Sequence, residues 1–174
     1  METGDVEYVN SNWVETAFES LRLNLVALIQ PSGQMAFGQA FDLENSQYIS
    51  LSEELQTHLK PNDLLVQHLG PEPQSGVLLL SEGAMLIASS PILTTEQAGP
   101  SRGSLVMGRY LDGAELARFV NLTRVSVKIY QVNDPQLSTN LQQVRASLLD
   151  QPQQVVVRPL DDNSIAGYAM LPDL

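Results

Sequence analysis

The chain has 174 residues, is 43% hydrophobic and 17% charged, and carries 20 acidic against 9 basic side chains, a net charge of −11. That length and apolar content bury a real core in one domain, or in one domain with a small lobe, and argue against disorder. Its two lysines, Lys60 and Lys128, form no basic run, so the counterion-displacing clusters of a nucleic-acid binder are missing and an anionic lipid surface is disfavoured. The absence of cysteine removes disulfides, thiolate catalysis and thiolate metal sites together. No window approaches the roughly 18 apolar residues of a membrane span. The opening METGDVEY is acidic and polar, the opposite of a signal peptide. The chain is therefore expected to be either cytoplasmic or a soluble piece of a longer protein.

In chain order, residues 5–22 read as a helix, with Val14, Phe18 and Leu21 at i, i+4 and i+7 and with Trp13 and Ala17 widening the face. Residues 23–30 (LNLVALIQ) and 35–42 (MAFGQAFD) read as a hairpin around the turn Pro31-Ser32-Gly33. Leu51, Leu55 and Leu59 then recur at helical spacing behind Ser50-Leu51-Ser52-Glu53, whose serine-to-glutamate spacing resembles a capping box, and the helix ends at Lys60-Pro61. The proline-bearing segment 62–75 reads as a mobile connection. Apolar runs 77–80, 84–93 and 104–111 follow as a three-stranded meander, separated by Glu82-Gly83, which allows only a tight hairpin, and by the turn Gly99-Pro100-Ser101-Arg102-Gly103. Asp112-Gly113-Ala114-Glu115 caps a helix carrying Leu116, Phe119 and Val120.

Beyond that helix, Val125, Val127 and Ile129 alternate with Ser126, Lys128 and Tyr130 as a half-buried strand would. Asp134-Pro135 opens a helix with the seam Leu137, Leu141, Val144 and Leu148. Strands at 155–160 and 165–171 flank the turn 161–164. The predicted fold class is α+β: a PAS-like or Cache-like antiparallel five-stranded sheet with flanking helices over residues 1–122, and a small C-terminal α/β lobe over 123–174. A pocket is expected between the sheet and the irregular 43–75 insertion.

Catalytic signatures are absent: the sequence holds no GxSxG elbow, P-loop, GxGxxG or HExxH. The two histidines, His58 and His68, lack the spacing of a zinc pair. No enzyme activity, metal or cofactor is expected of this chain. The residue that stands out is Arg109, in the otherwise apolar strand SLVMGRYL. A guanidinium there must be paired, either to an internal carboxylate such as Asp42 or Glu115 or to the carboxylate of a small ligand. Ser89, Gln39 and Asn24 also interrupt apolar strands, and either cap backbone or line a pocket. Phe37, Met85 and Met107 suit a core and a pocket wall equally. The candidate ligand set is thus Arg109 as anion anchor, Ser89 and Gln39 as hydrogen-bonding groups, and Phe37, Met85 and Met107 as walls.

The runs LRLNLVALIQPSGQMAFGQAFDL (21–43), SGVLLLSEGAMLIASSPIL (75–93) and GPSRGSLVMGRYLDGAELARF (99–119) together resemble the type-four CHASE domain, an extracytoplasmic sensory module of bacterial histidine kinases and cyclic-dinucleotide enzymes. The resemblance implies a domain that passes a ligand-induced change across the membrane, sitting as a homodimer in a full-length protein whose membrane segments lie outside this chain. The ligand would be a small molecule, anionic if Arg109 holds it. The alternative is a dimerisation or protein-partner-binding domain without a small ligand. The family's tryptophan-containing acidic segment before the helix, and its continuation past GYAMLPDL, are not matched, so the sequence is expected to be trimmed at both ends.

Overall fold

A computed structural model describes residues 14–61, 66, 72–94 and 100–173. The first part of the expected 5–22 helix, most of the 62–75 connection and His68 lie outside the described residues. The chain divides into two compact units, Met1–Glu115 with Asp173–Leu174, and Leu116–Pro172.

The first unit is built on an antiparallel sheet of six strands, one more than the sequence pattern suggests. These are β1 (Leu25–Ile29), β2 (Met35–Asp42), β3 (Gln47–Ile49), β4 (Gln74–Leu80), β5 (Gly83–Pro91) and β6 (Ser104–Tyr110). Their spatial order is β3-β2-β1-β6-β5-β4. Two three-stranded meanders therefore meet through β1 and β6, and the additional strand is β3. Its turn is made by Asp42, whose carboxylate accepts hydrogen bonds from the Glu44 and Asn45 backbone N–H groups at 2.9 and 3.2 Å and from the Asn45 side-chain amide at 2.7 Å. These bonds, that of the Asn45 side chain first, hold the Asp42 carboxyl below its ordinary pKa. An Asx-type turn of this kind mimics backbone pairing, and it lets three residues too short for a periodicity signal join the sheet.

Both faces of the sheet are covered by helices of the same unit. Helix α1 (Glu15–Leu21) covers the face on which Phe18, Leu23, Val26 and Phe41 cluster. Phe18 and Phe41 stack at 5.1 Å, and Tyr48 of β3 meets both rings edge-on. Helix α2 (Glu53–His58) covers the opposite face, where Leu55 and Leu59 pack with Leu25, Ala27, Ile29, Leu78, Met85 and Val106. Its cap is Ser52, whose hydroxyl accepts from the Leu55 N–H; the box read from Ser50 starts two residues too early. Between β4 and β5 the loop is only Ser81-Glu82, since Leu80 pairs with Gly83, and Gly83 takes the positive φ of 140° that this closure needs.

Helix α3 (Gly113–Thr123) starts where the sequence places it, with the Asp112 carboxylate accepting from the Glu115 N–H at 2.7 Å. In the second unit, two expectations fail. Residues 124–131 form no strand, and Val125, Val127 and Ile129 are exposed. Alternation marks a strand only when another strand supplies hydrogen-bond partners, and among the described residues none pairs here. Helix α4 (Thr139–Asp150) begins at Ser138, not at Asp134; Asp134 instead closes a local turn onto the Gln136 N–H. The seam residues Leu137, Val144 and Leu148 are buried as expected. Strands β7 (Val156–Asp161) and β8 (Ser164–Tyr168) form an antiparallel hairpin.

Candidate functional site

The six residues singled out from the sequence do not share a face. Along β2 and β6 alternate residues point the same way, so Phe37 and Gln39, and Met107 and Arg109, lie on the side covered by α1, with Phe37 and Met107 against its cluster. Met85 and Ser89 of β5 point to the α2 side: Met85 belongs to the core there, and Ser89 stands opposite Val106 of the same core. The Gln39 amide donates to the Ala40 and Ile49 carbonyls. Asn24 bonds to the backbone on both sides of its amide, its nitrogen donating to the Phe41 carbonyl and its oxygen accepting the Tyr110 N–H at 3.0 Å.

Arg109 has internal partners. Its Nη1 donates to Glu115 at 2.9 Å, its Nε to the Arg22 carbonyl at 2.8 Å and its Nη2 to the Leu21 carbonyl at 2.6 Å. Arg22 bonds the other oxygen of the same carboxylate at 3.1 Å. Glu115 is only 1% exposed, so the two cations and the two carbonyls form one cluster that ties the end of α1 to β6 and to the start of α3. Arg22 itself is left-handed, with φ of 54°, which closes α1 and turns its carbonyl toward Arg109. Of the two internal carboxylates considered from the sequence, Glu115 is the partner and Asp42 serves the β2–β3 turn.

Among the described residues an opening lies elsewhere, on the α2 side. A cleft of about 200 Å³ sits between the sheet and the β3–α2 segment. Ala40, Ile49 and Leu55 give its lining an apolar part, while Asn24, Ser50, Ser52, Glu82 and Tyr110 contribute polar groups. It is smaller than the roughly 300–1,000 Å³ typical of drug-sized ligands, so its occupant would be a compact molecule. A more open groove of about 510 Å³ adjoins it through Ile49 and Ser50, and Gln39 borders that groove.

The polar edge of the cleft is built from the β4–β5 loop. The Tyr110 hydroxyl donates to Glu82 at 2.5 Å. Burial, followed by that hydrogen bond, pushes the phenol well above its ordinary range, so it stays protonated throughout physiological pH. Next to it, Glu54 of α2 accepts from the Ser81 N–H and hydroxyl at 2.8 and 2.7 Å, bonds that hold its carboxyl below the ordinary value. Among the described residues lining the cleft there is no Lys or Arg. Sequence reasoning missed Tyr110 and Glu82 because their meeting depends on the register of β5 against β6, in which Tyr110 opposes Met85 three residues beyond Glu82.

A family model described as the CHASE4 domain matches residues 1–130. The chain belongs to the CHASE4 domain family. CHASE4 domains are extracellular sensory modules, so this is a sensory signal-transduction domain. Among curated proteins the CHASE4 domain resembles the methanogenesis regulatory histidine kinase FilI of Methanothrix harundinacea (strain 6Ac), with 25% identity over 124 residues. The alignment takes in 71% of this chain but only 14% of that kinase. Among solved structures it resembles the extracellular domain of vpHK1S-Z8, described as a histidine kinase, with a TM-score of 0.53 and 14% identity over 84% of this chain and 58% of that one. It also resembles a domain of a protein from Vibrio parahaemolyticus described as of the sensory box/GGDEF family, with a TM-score of 0.56 and 11% identity over 97% and 73% of the two chains. At those identities the structural likeness speaks for the fold alone. No helix among the described residues is long and apolar enough to cross a membrane.

Proposed function

We propose that this CHASE4 domain is the extracytoplasmic ligand-sensing portion of a membrane-bound signalling protein whose output is a histidine kinase or a cyclic-dinucleotide enzyme. In this reading the sheet of the first unit is PAS-like or Cache-like, residues 1–122 are the sensor core and 123–174 a smaller lobe. The observation that carries it is the cleft between the sheet and the β3–α2 segment, because it combines an apolar wall with a few fixed polar groups, the usual composition of a small-molecule site. Binding transmits a signal only if the ligand favours one of two states over the other. The α2 segment is suited to report occupancy, since it packs on the sheet through Leu55 and Leu59 and places Ser52 and Leu55 in the lining of the cleft.

A second reading is supported by the second unit. There Val155, Val157 and Ile165 of the β7–β8 region are 63%, 58% and 73% exposed, which suits a dimerisation or protein-partner face better than bulk solvent. A thermal-shift screen against organic acids, amino acids and amines separates the two. A specific ligand at about a hundred times its Kd adds about 2.7 kcal/mol, which for a chain of this size raises the melting temperature by about 5 °C or more. No response to any compound, together with concentration-dependent dimerisation in sedimentation, would favour the second reading.

A further inference from the structure

We infer that the cleft of the sensor core selects a small organic ammonium ion, held by Glu82 and Tyr110, in preference to an anion. The inference rests on the proposed sensing role and names the ligand class for that site. Three observations lead to it.

The first is charge. Glu82 lines the cleft and accepts a hydrogen bond from the Tyr110 hydroxyl, and Glu54 of α2 is bonded to Ser81 of the same loop. His58, one helical turn beyond Glu54, acts on Glu54 and is not among the lining residues. The guanidinium that could have attracted an anion, Arg109, is turned to the opposite side of the sheet and bound to Glu115 and two carbonyls. An anion entering the cleft would meet the Glu82 carboxylate with no compensating cation among the described lining residues, whereas a cation would be attracted by it.

The second is the donor and acceptor count. Glu82 spends one oxygen on the Tyr110 hydroxyl, and an ionised carboxylate has about four acceptor positions. The Tyr110 oxygen has donated its proton and keeps its lone pairs. The Asn24 oxygen accepts one backbone N–H and the Ser52 hydroxyl another. The Ser50 and Ser52 hydroxyls can donate as well as accept, so the acceptors that a ligand's N–H groups would use are those left on Glu82 and on the Tyr110 oxygen.

The third is size. About 200 Å³ admits a molecule of a few heavy atoms, large enough for an amine with a short polar or alkyl arm. An amino acid would bring its own carboxylate into the same field, so amines lacking a carboxylate should bind better than amino acids of the same length.

The test is calorimetric titration of the 174-residue chain at constant ionic strength with two panels of matched size: ethanolamine, ethylenediamine and isopropylamine against glycolate, lactate and malonate. At least one ammonium compound should bind, the acids should not, and Glu82→Gln should weaken binding at least tenfold. Glu82 is exposed, so that variant should melt with the parent. Tyr110→Phe, which keeps the ring and removes the hydroxyl, should weaken binding in the same direction. Binding of the acids, or ammonium binding that Glu82→Gln leaves unchanged, overturns the ammonium assignment and leaves ligand sensing intact. No response to either panel or to the broader screen overturns both.

Discussion

Arg109 shows how much one partner decides. Within an apolar strand a guanidinium demands an acceptor, and that demand is met by a carboxylate six residues further along the chain, at the first turn of α3, together with the carbonyls that end α1. Removing one member of such a cluster costs more than the cluster contributes, because the remaining charge is left buried. Arg109→Met leaves Glu115, 1% exposed, with Arg22 as its cation, and should cost about 3 kcal/mol in urea unfolding. The double replacement Arg109→Met with Glu115→Leu should recover more than half of that loss. Arg22→Ala should cost less than about 1 kcal/mol, since its side chain is 42% exposed. The demand for a partner was legible in the sequence. The choice of Glu115 over Asp42 was not, because it depends on where α3 starts relative to β6 and on the turn that occupies Asp42.

At the scale of elements, the meander 74–110 was readable because each of its signals is local: apolar runs of strand length and a turn too short for anything but a hairpin. The same turns hold its most sensitive backbone positions. Gly103 has φ of 137°, and a Cβ there would fall on the Ile29 carbonyl oxygen. Gly83 has a similar φ of 140° with open space around it. Gly103→Ala should therefore cost about 3 kcal/mol and Gly83→Ala only about 1–2 kcal/mol. Melting curves of the two variants would check the order, and equal losses would mean that strain at φ, not the close approach to β1, dominates. Elements defined by partners were harder to read. Strand β3 has three residues and no pattern, yet it pairs with β2 through Ala40↔Ile49, Phe41↔Tyr48 and Asp42↔Gln47. Residues 125–130 have a strand pattern and pair with nothing among the described residues.

For the whole molecule the expected consequence is uneven stability. Strands β1 and β6 are paired on both edges and carry core residues on both faces, so their amides should open only with the unit itself. Residues 124–131 have no regular backbone pairing. Hydrogen exchange should find the β1 and β6 amides at least about a thousandfold slower than those of 124–131, given that global stabilities run to about 5 kcal/mol and above. Comparable rates would mean that 125–130 pairs in solution as its alternation first suggests.

The sequence by itself determined the class of the molecule and the family: apolar periodicity and turn chemistry are properties of short windows, and the runs at 21–43, 75–93 and 99–119 carry the CHASE4 pattern. It also determined that Arg109 must be paired. Only the tertiary structure decided that the six candidate residues divide between two faces of one sheet and that the cleft is edged by Tyr110 and Glu82. The physical reason is register. Which residues meet across a sheet depends on pairings set by turns and bulges far apart in the chain, and a shift of one residue would turn every side chain to the other face.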